Sequence, residues 1–180
     1  MKTLSKLTVA LFTVAALFFT TTVKAQTTPA NALRMSIGVD AGLPTGNLTI
    51  GSNFVLGGTI HLQYGITNNF DVSLASGADH FFSKINPATG TKFDSFGIIP
   101  VKAGVKWFFV PSFYVAGEGG VAVEETDSGA GNTKMLLSPE LGWANTHWDV
   151  GVRYDHFSGQ SDPYGFVAVR VAYCFPFFTK

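Results

Sequence analysis

The segment His156-Phe157-Ser158 carries the sharpest chemical pattern in the sequence. A histidine two residues from a serine can take the hydroxyl proton and create a nucleophile, provided a carboxylate orients the imidazole. Residues 165–175 contain no Asp or Glu, and Asp162 is the one acid close by. A hydrolase built here would use Ser158 as nucleophile and His156 as base. The competing reading is an interfacial histidine and a serine at the edge of a loop, and it needs no missing acid. His61, His80 and His147 are scattered without metal-ligand spacing. No glycine-rich loop joins a strand to a helix in the way a phosphate site requires. No metal and no other cofactor is expected. Asn47-Leu48-Thr49 matches a glycosylation sequon, a weak signal. Glu124, Glu125 and Asp127 form an acidic cluster that fits a solvated loop better than a site for divalent cations bridging lipopolysaccharide.

A second constellation is spread along the chain. Arg34, Asp40, His61, Asp71, Asp79, Lys102, Lys106, Glu118, Glu140, Asp149, Arg153, Asp155 and Arg170 all occupy the polar side of an alternating segment. Such a set could line a charged pore or supply a catalytic carboxylate pair. It could equally form a structural network of ion pairs. Both signs are present, buried charges must be paired, and the interior of an eight-stranded barrel is just wide enough for side chains to fill. The expected role is therefore an interior polar network, with no catalytic residue assigned beyond the weak pair His156 and Ser158.

The elements that must position these residues are strands. Leu33, Met35, Ile37, Val39, Ala41 and Leu43 alternate with Arg34, Ser36, Gly38, Asp40 and Gly42. This period of two returns over Leu56–Ile66, Phe70–Asp79, Val101–Phe109, Phe113–Val123, Leu137–Trp143, Trp148–Asp155 and Val167–Phe175. Eight segments near the ~9–11 residues of a tilted membrane strand result. Thr67-Asn68-Asn69, Val110-Pro111-Ser112 and Asn145-Thr146-His147 read as short turns. Residues 44–53, 81–93, 124–134 and 157–164 read as longer loops, the asymmetry of an outer-membrane barrel. Tyr64, Phe70, Trp107, Phe109, Phe113, Trp143 and Trp148 lie beside the short turns, and Tyr173 and Phe175 lie near the chain's end at the same level. An aromatic girdle at one interface predicts that clustering. Pro100 and Pro139 fall in or beside strands, where bulges or strand starts are expected. Gly117 and Gly119 leave the fifth strand without bulk on its apolar face. By parity with Val150, Val152 and Tyr154, His156 and Ser158 point outward near the loop end.

Composition narrows the class. Residues 1–25 read as a secretory signal: Lys2 and Lys6, then the apolar run Leu7–Phe19, then Val23-Lys24-Ala25 before Gln26. The run is short of the ~20 residues a spanning helix needs. Residues 26–180 then form one domain, with residues 26–31 as a polar leader. The export signal carries off Lys2, Lys6 and Lys24, leaving 9 basic against 12 acidic residues and no basic patch. Nucleic acid is thereby excluded as a partner. A lone cysteine, Cys174, excludes an internal disulfide framework. Apolar residues make up 46% and charged residues only 13%, about half the charge of a typical soluble domain. With no second helix-length apolar stretch, a membrane could be crossed only by a closed barrel. The expected fold is all-β: an eight-stranded antiparallel transmembrane β-barrel in up-and-down order, exported to the outer membrane of a Gram-negative cell.

Ile99-Pro-Val-Lys-Ala-Gly-Val-Lys-Trp-Phe-Phe with Phe113-Tyr-Val-Ala-Gly-Glu-Gly-Gly, and Trp148-Asp-Val-Gly-Val-Arg-Tyr-Asp with Phe166-Val-Ala-Val-Arg-Val-Ala-Tyr-Cys-Phe, resemble the Bacteroidetes-type small outer-membrane β-barrel family, OmpX/OmpA-like in build. The resemblance implies a porin-type barrel fold and contact with outer-membrane lipid and lipopolysaccharide. It also implies delivery to the barrel assembly machinery through an aromatic last strand, here Tyr173 and Phe175, with Pro176-Phe-Phe-Thr-Lys as a departure. His156-Phe157-Ser158 is similar to the His-x-Ser of outer-membrane lipid A deacylases, although Gly159 stands where that family has Asn. The leading expectation is a non-enzymatic envelope protein with a side-chain-filled interior and long loops for an unidentified surface partner. A lipid A deacylase-like hydrolase is the alternative. A soluble lipocalin-like carrier is a third; it would need its apolar face inside.

Overall fold

In the computed structural model, which describes residues 28–85, 95–126, 129–159 and 162–178, the alternating segments form eight strands. They are β1 (Leu33–Thr45), β2 (Ser52–Thr67), β3 (Phe70–Ser83), β4 (Phe96–Val110), β5 (Phe113–Thr126), β6 (Gly129–Ala144), β7 (Trp148–Gly159) and β8 (Tyr164–Phe178). One four-residue helix, α1 (Leu48–Gly51), joins β1 to β2. Every strand pairs antiparallel with the next, and β8 pairs with β1, closing the barrel. The signal segment at residues 1–25 lies outside the described residues. Among the described residues no helix is long and apolar enough to cross a membrane.

The registers set the shape. A path perpendicular to the strands runs from Met35 through Leu62, Leu74, Ala103, Gly119, Leu137, His156 and Gly165, and returns to β1 at Thr45. The stagger from Met35 to Thr45 is ten residues. At ~3.3 Å per residue and ~4.8 Å between strands, this tilts the strands by roughly 40° and places the backbone about 8 Å from the axis. Side chains of ordinary length reach the centre from every wall, so the inward face is a core.

The apolar set faces outward. Ile37, Val39, Leu43, Ile60, Leu74, Val105, Leu137, Leu141 and Val169 are all exposed, while Arg34, Asp40, Lys102, Arg153 and Arg170 are buried. Alternation in the sequence thus becomes a charged inside and an apolar outside. A lipocalin-like arrangement has the opposite polarity, and this exterior would be a very large exposed patch in water.

The short connections are Asn68–Asn69, Pro111–Ser112 and Asn145–His147. Asn145 closes its turn by accepting from the His147 and Trp148 amides at 2.8 and 2.7 Å. At the opposite end the strands run further than expected. Residues 44–45, 52–53, 81–83, 124–126, 129–134 and 157–159 are strand, so most of the expected loop at 124–134 is a hairpin. Gly, Ser and Asn lower β propensity there, but cross-strand pairs such as Thr126↔Gly129 and Leu136↔Phe157 carry the ladder onward.

Neither proline makes a bulge or starts a strand. Pro100 sits within β4 with unbroken register to Ala122 of β5, and the β3–β4 pairing lapses only across Gly77–Ala78. Pro139 sits within β6, paired with Gly117 of β5, and the β6–β7 pairing lapses between Leu137 and Glu140. An antiparallel residue aims its N–H at one neighbour only, so each proline interrupts one ladder and spares the other. Ser76 Oγ donates to the Pro100 carbonyl at 3.0 Å beside the first gap. The last strand also exceeds the aromatic signal: β8 continues to Phe178, with Pro176 opposite Arg34 and a register shift at Leu33/Arg34.

Candidate functional site

Inward alternation concentrates charge on the barrel axis, and the walls are shaped to receive it. Arg170, fully buried, places Nη2 3.1 Å from Glu140 Oε1 and 3.1 Å from Asp149 Oδ1. Lys106 Nζ is 2.6 Å from Asp149 Oδ2 and 3.9 Å above the Tyr114 ring centre. The Tyr114 hydroxyl donates to Asp149 at 2.7 Å and lies against Glu140. Gly142 and Gly151 make room: a Cβ at Gly142 would sit 2.3 Å from the Tyr114 oxygen, and one at Gly151 2.2 Å from Glu140 Oε1.

Arg153 organises a second group, with Asp40 at 3.1 Å, Asp155 at 3.0 Å and Asp79 at 3.6 Å. Lys102 contacts Glu118 at 3.0 Å, and Glu118 also meets His61 Nδ1 at 3.5 Å and the Ser73 hydroxyl at 3.0 Å. Ser138 donates to Asp155 and receives Lys102 at 3.4 Å, tying the second group to the third. Arg34 donates to the Asn145 carbonyl across the barrel mouth. Of seven buried carboxylates, Asp71 is the one that forms no ion pair among the described residues. The other six carboxylates are paired, as charge in low dielectric demands, and such pairs are close to neutral in net stability while costly to break on one side.

Apolar layers close both ends of this polar column. On the side of the longer connections, Phe81 stacks on Phe96 at 4.6 Å and meets Phe166 edge-on at 5.4 Å, while Phe157 stacks on Tyr164 at 5.0 Å. Ile98 and Leu136 complete the layer. Tyr164 donates to Glu124 at 2.5 Å, and Lys134 sits 5.0 Å from the Tyr164 ring centre with its Nζ donating to the Asp162 carbonyl. On the short-turn side, Phe108, Tyr114 and Ala144 form a smaller layer. Residues 28–32 cross beneath it as a strap. Asn31 N donates to Gly65 O at 2.8 Å, Gly65 N to Ala32 O at 3.0 Å, and Ala30 N to Asn68 Oδ1 at 3.3 Å. Gly65 is required, because a Cβ there would lie 2.4 Å from the Pro29 carbonyl.

The aromatic layer is not evident from composition, which places residues 81–93 and 157–164 in loops. Parity held the signal: Phe81 follows Asp79 by two, and Phe157 follows Asp155 by two. Each aromatic therefore continues an inward face.

His156 and Ser158 do point outward, half-exposed, on the long-connection half of β7. The His156 ring lies 6.1 Å from that of Tyr154, and no carboxylate contacts His156 among the described residues. Asp162 is exposed. His80 meets Phe82 at 4.8 Å and His147 meets Tyr173 at 6.1 Å, so the structure gathers neither histidine into a site. No group of three or more His, Cys, Asp or Glu side chains among the described residues is placed to hold a metal. Asp127 of the acidic cluster lies outside the described residues, and Glu125 is exposed. On the outer surface Trp107, Phe109, Trp148, Tyr173 and Phe175 are exposed beside the short turns, with Trp148 edge-on to Tyr173 at 5.4 Å.

No protein-family profile matches the sequence, and no curated protein matches it. Solved structures do. Ail, the attachment invasion locus protein of Yersinia pestis, aligns with TM-score 0.56 at 13% identity, over 81% of this chain and 99% of Ail. The N-terminal β-barrel domain of Pseudomonas aeruginosa OprF aligns with TM-score 0.57 at 15% identity, over 81% and 98%. Neisserial surface protein A aligns with TM-score 0.56 at 14% identity, over 82% and 98%. The chain has the closed, eight-stranded, all-antiparallel β-barrel fold that these proteins share.

Proposed function

We propose that this chain is an outer-membrane protein of a Gram-negative envelope, exported by residues 1–25. Its barrel would be a non-conducting platform and its long-connection end a surface for binding. The observation that carries the reading is the inverted polarity: an apolar exterior around a charge-paired interior that aromatic layers stop at both ends. Lipid is the solvent that such an exterior suits, and a paired, blocked axis suits a scaffold better than a channel. Support also comes from the shared fold, since Ail and Neisserial surface protein A are, by their names, an attachment invasion locus protein and a surface protein. Lipopolysaccharide would contact the exterior, and the barrel assembly machinery would insert it through β8.

Fractionation tests the reading. The folded protein should partition with outer membranes, shift its gel mobility on heating, and leave liposomes impermeable to small sugars. Recovery as a soluble periplasmic protein without a mobility shift would overturn the location. Sugar-driven swelling would overturn the closed platform. The hydrolase alternative rests on the outward placement of His156 and Ser158 at the lipid rim, and it lacks an acid to orient the imidazole. Lipid A from cells with and without the gene decides it: identical acylation removes the hydrolase.

A further inference from the structure

The polar interior is not uniform. Lys102, Lys106, Tyr114, Glu140, Asp149 and Arg170, all on β4–β8, are held by ion pairs or short hydrogen bonds. Atoms without a hydrogen bond also occur on Arg153 and Arg170, but those side chains hold ion pairs; on the wall formed by β1–β3 they include side chains that hold none. Ser36 and His61 are cross-strand partners, Gln63 follows His61 by two on the same face, and all three are at most 2% exposed. Ser36 Oγ, His61 Nε2 and both amide atoms of Gln63 have no protein partner. Below them, both oxygens of fully buried Asp71 also lack one. The Thr28 and Thr59 hydroxyls lie beside Asp71 and Asp40, respectively, without a hydrogen bond of ordinary geometry. The residues opposite them are small: Cys174 is opposite Ser36, and Ala75 is opposite His61.

A buried amide with neither of its groups bonded is costly, and native interiors resolve that cost with a partner. The orphaned atoms mix donors with acceptors: a hydroxyl, an imidazole nitrogen, an amide and a carboxylate. A cation would satisfy only the acceptors, and Lys106 is the cross-strand neighbour of Asp71 while Arg34 is that of Gln63. An anion would meet Asp71. Water serves both kinds.

We propose that the β1–β3 wall is a binding site for a short file of ordered water. The file runs from Asp71 and Thr28, above the strap, past Gln63, His61 and Ser36 toward Thr59, and the aromatic layer at Phe81 and Phe166 ends it. About three hydrogen bonds per buried water makes this roughly two or three molecules, spaced as separate bridges along the roughly 20 Å of wall between Asp71 and Thr59.

Isotope-labelled protein folded in detergent micelles provides the test, read by water-selective NMR transfer to side-chain protons. Water cross-peaks at the Gln63 side-chain amide are expected. A Gln63 amide that shows contacts to protein protons and none to water overturns the site. The variant Gln63→Leu gives a second readout. With water present it removes two of the file's bonding groups, and the heat-modification midpoint falls, by about 2–4 °C for a modest loss in a chain of this size. If the wall is dry, the same variant relieves an orphaned amide and the midpoint rises, which contradicts the proposal.

Discussion

Arg170→Leu is the sharpest perturbation of the interior. Arg170 is fully buried and, among the described residues, is the one cation within 4 Å of Glu140, at 3.1 Å. Asp149 has a second cation, Lys106, at 2.6 Å. Removing the guanidinium therefore orphans Glu140 first. Breaking one side of a buried pair costs about 3–5 kcal/mol, which lowers the folded-to-unfolded ratio by roughly two to four powers of ten at about 1.4 kcal/mol each. The double variant Arg170→Leu/Glu140→Leu removes the orphan, leaves Lys106–Asp149 intact and should recover more than half of the loss, because an ion pair exchanged for apolar groups is close to neutral. Urea titration of protein folded in lipid vesicles, followed by tryptophan fluorescence and by gel mobility, measures both. A single variant within about 1 kcal/mol of the parent, or a double variant no better than the single, would refute the claim that pairing is what makes these charges tolerable.

Other consequences concern the exterior, the plug and the walls. Lys in place of outward Val105, midway along β4, should cost about 2–4 kcal/mol in a bilayer, seen as a lower urea midpoint; an unchanged midpoint would mean that lipid does not cover that position. Phe81→Ala combined with Phe166→Ala removes two rings of the layer that packs at 5.4 Å, and sugar-driven liposome swelling, absent for the parent, should appear. Each single change should cost about 3–5 kcal/mol, measured by the same urea titration. Gly142→Ala, whose Cβ would lie 2.3 Å from the Tyr114 oxygen, should displace Tyr114 from Asp149 and lower the heat-modification midpoint; no change would mean that the ring has room to move.

Much of the architecture was readable because a strand's period of two ties each residue's polarity to a side. The charges at Arg34, Asp40, Lys102, Arg153 and Arg170 marked the inward face, and Asn68-Asn69 and Pro111-Ser112 marked the turns. Polarity alone does not give partners. That Arg153 serves Asp40, Asp79 and Asp155 depends on a ten-residue stagger accumulated over eight registers, which no local pattern encodes. Composition misplaced the strand ends for a similar reason: glycine and serine near residues 129–131 read as loop, yet the hairpin continues because each backbone pair is held by the one below. Phe81 and Phe157 fall inside the expected loops for the same reason, and Phe166 lies one residue before the expected start of the eighth strand. Pro100 and Pro139 reverse the lesson. A correct local rule predicted disruption, and the barrel confined it to one ladder each.

Quenching of tryptophan by brominated lipid in vesicles tests the central claim, a charge-filled barrel with lipid on its outside, most directly. Trp107 is 52% exposed and Trp148 42% exposed, both outward beside the short turns. Bromine high on the acyl chain, near the headgroups, should quench them strongly, and bromine deep in the bilayer should quench them less. Quenching that is absent at every depth, or strongest at the bilayer centre, would contradict the account.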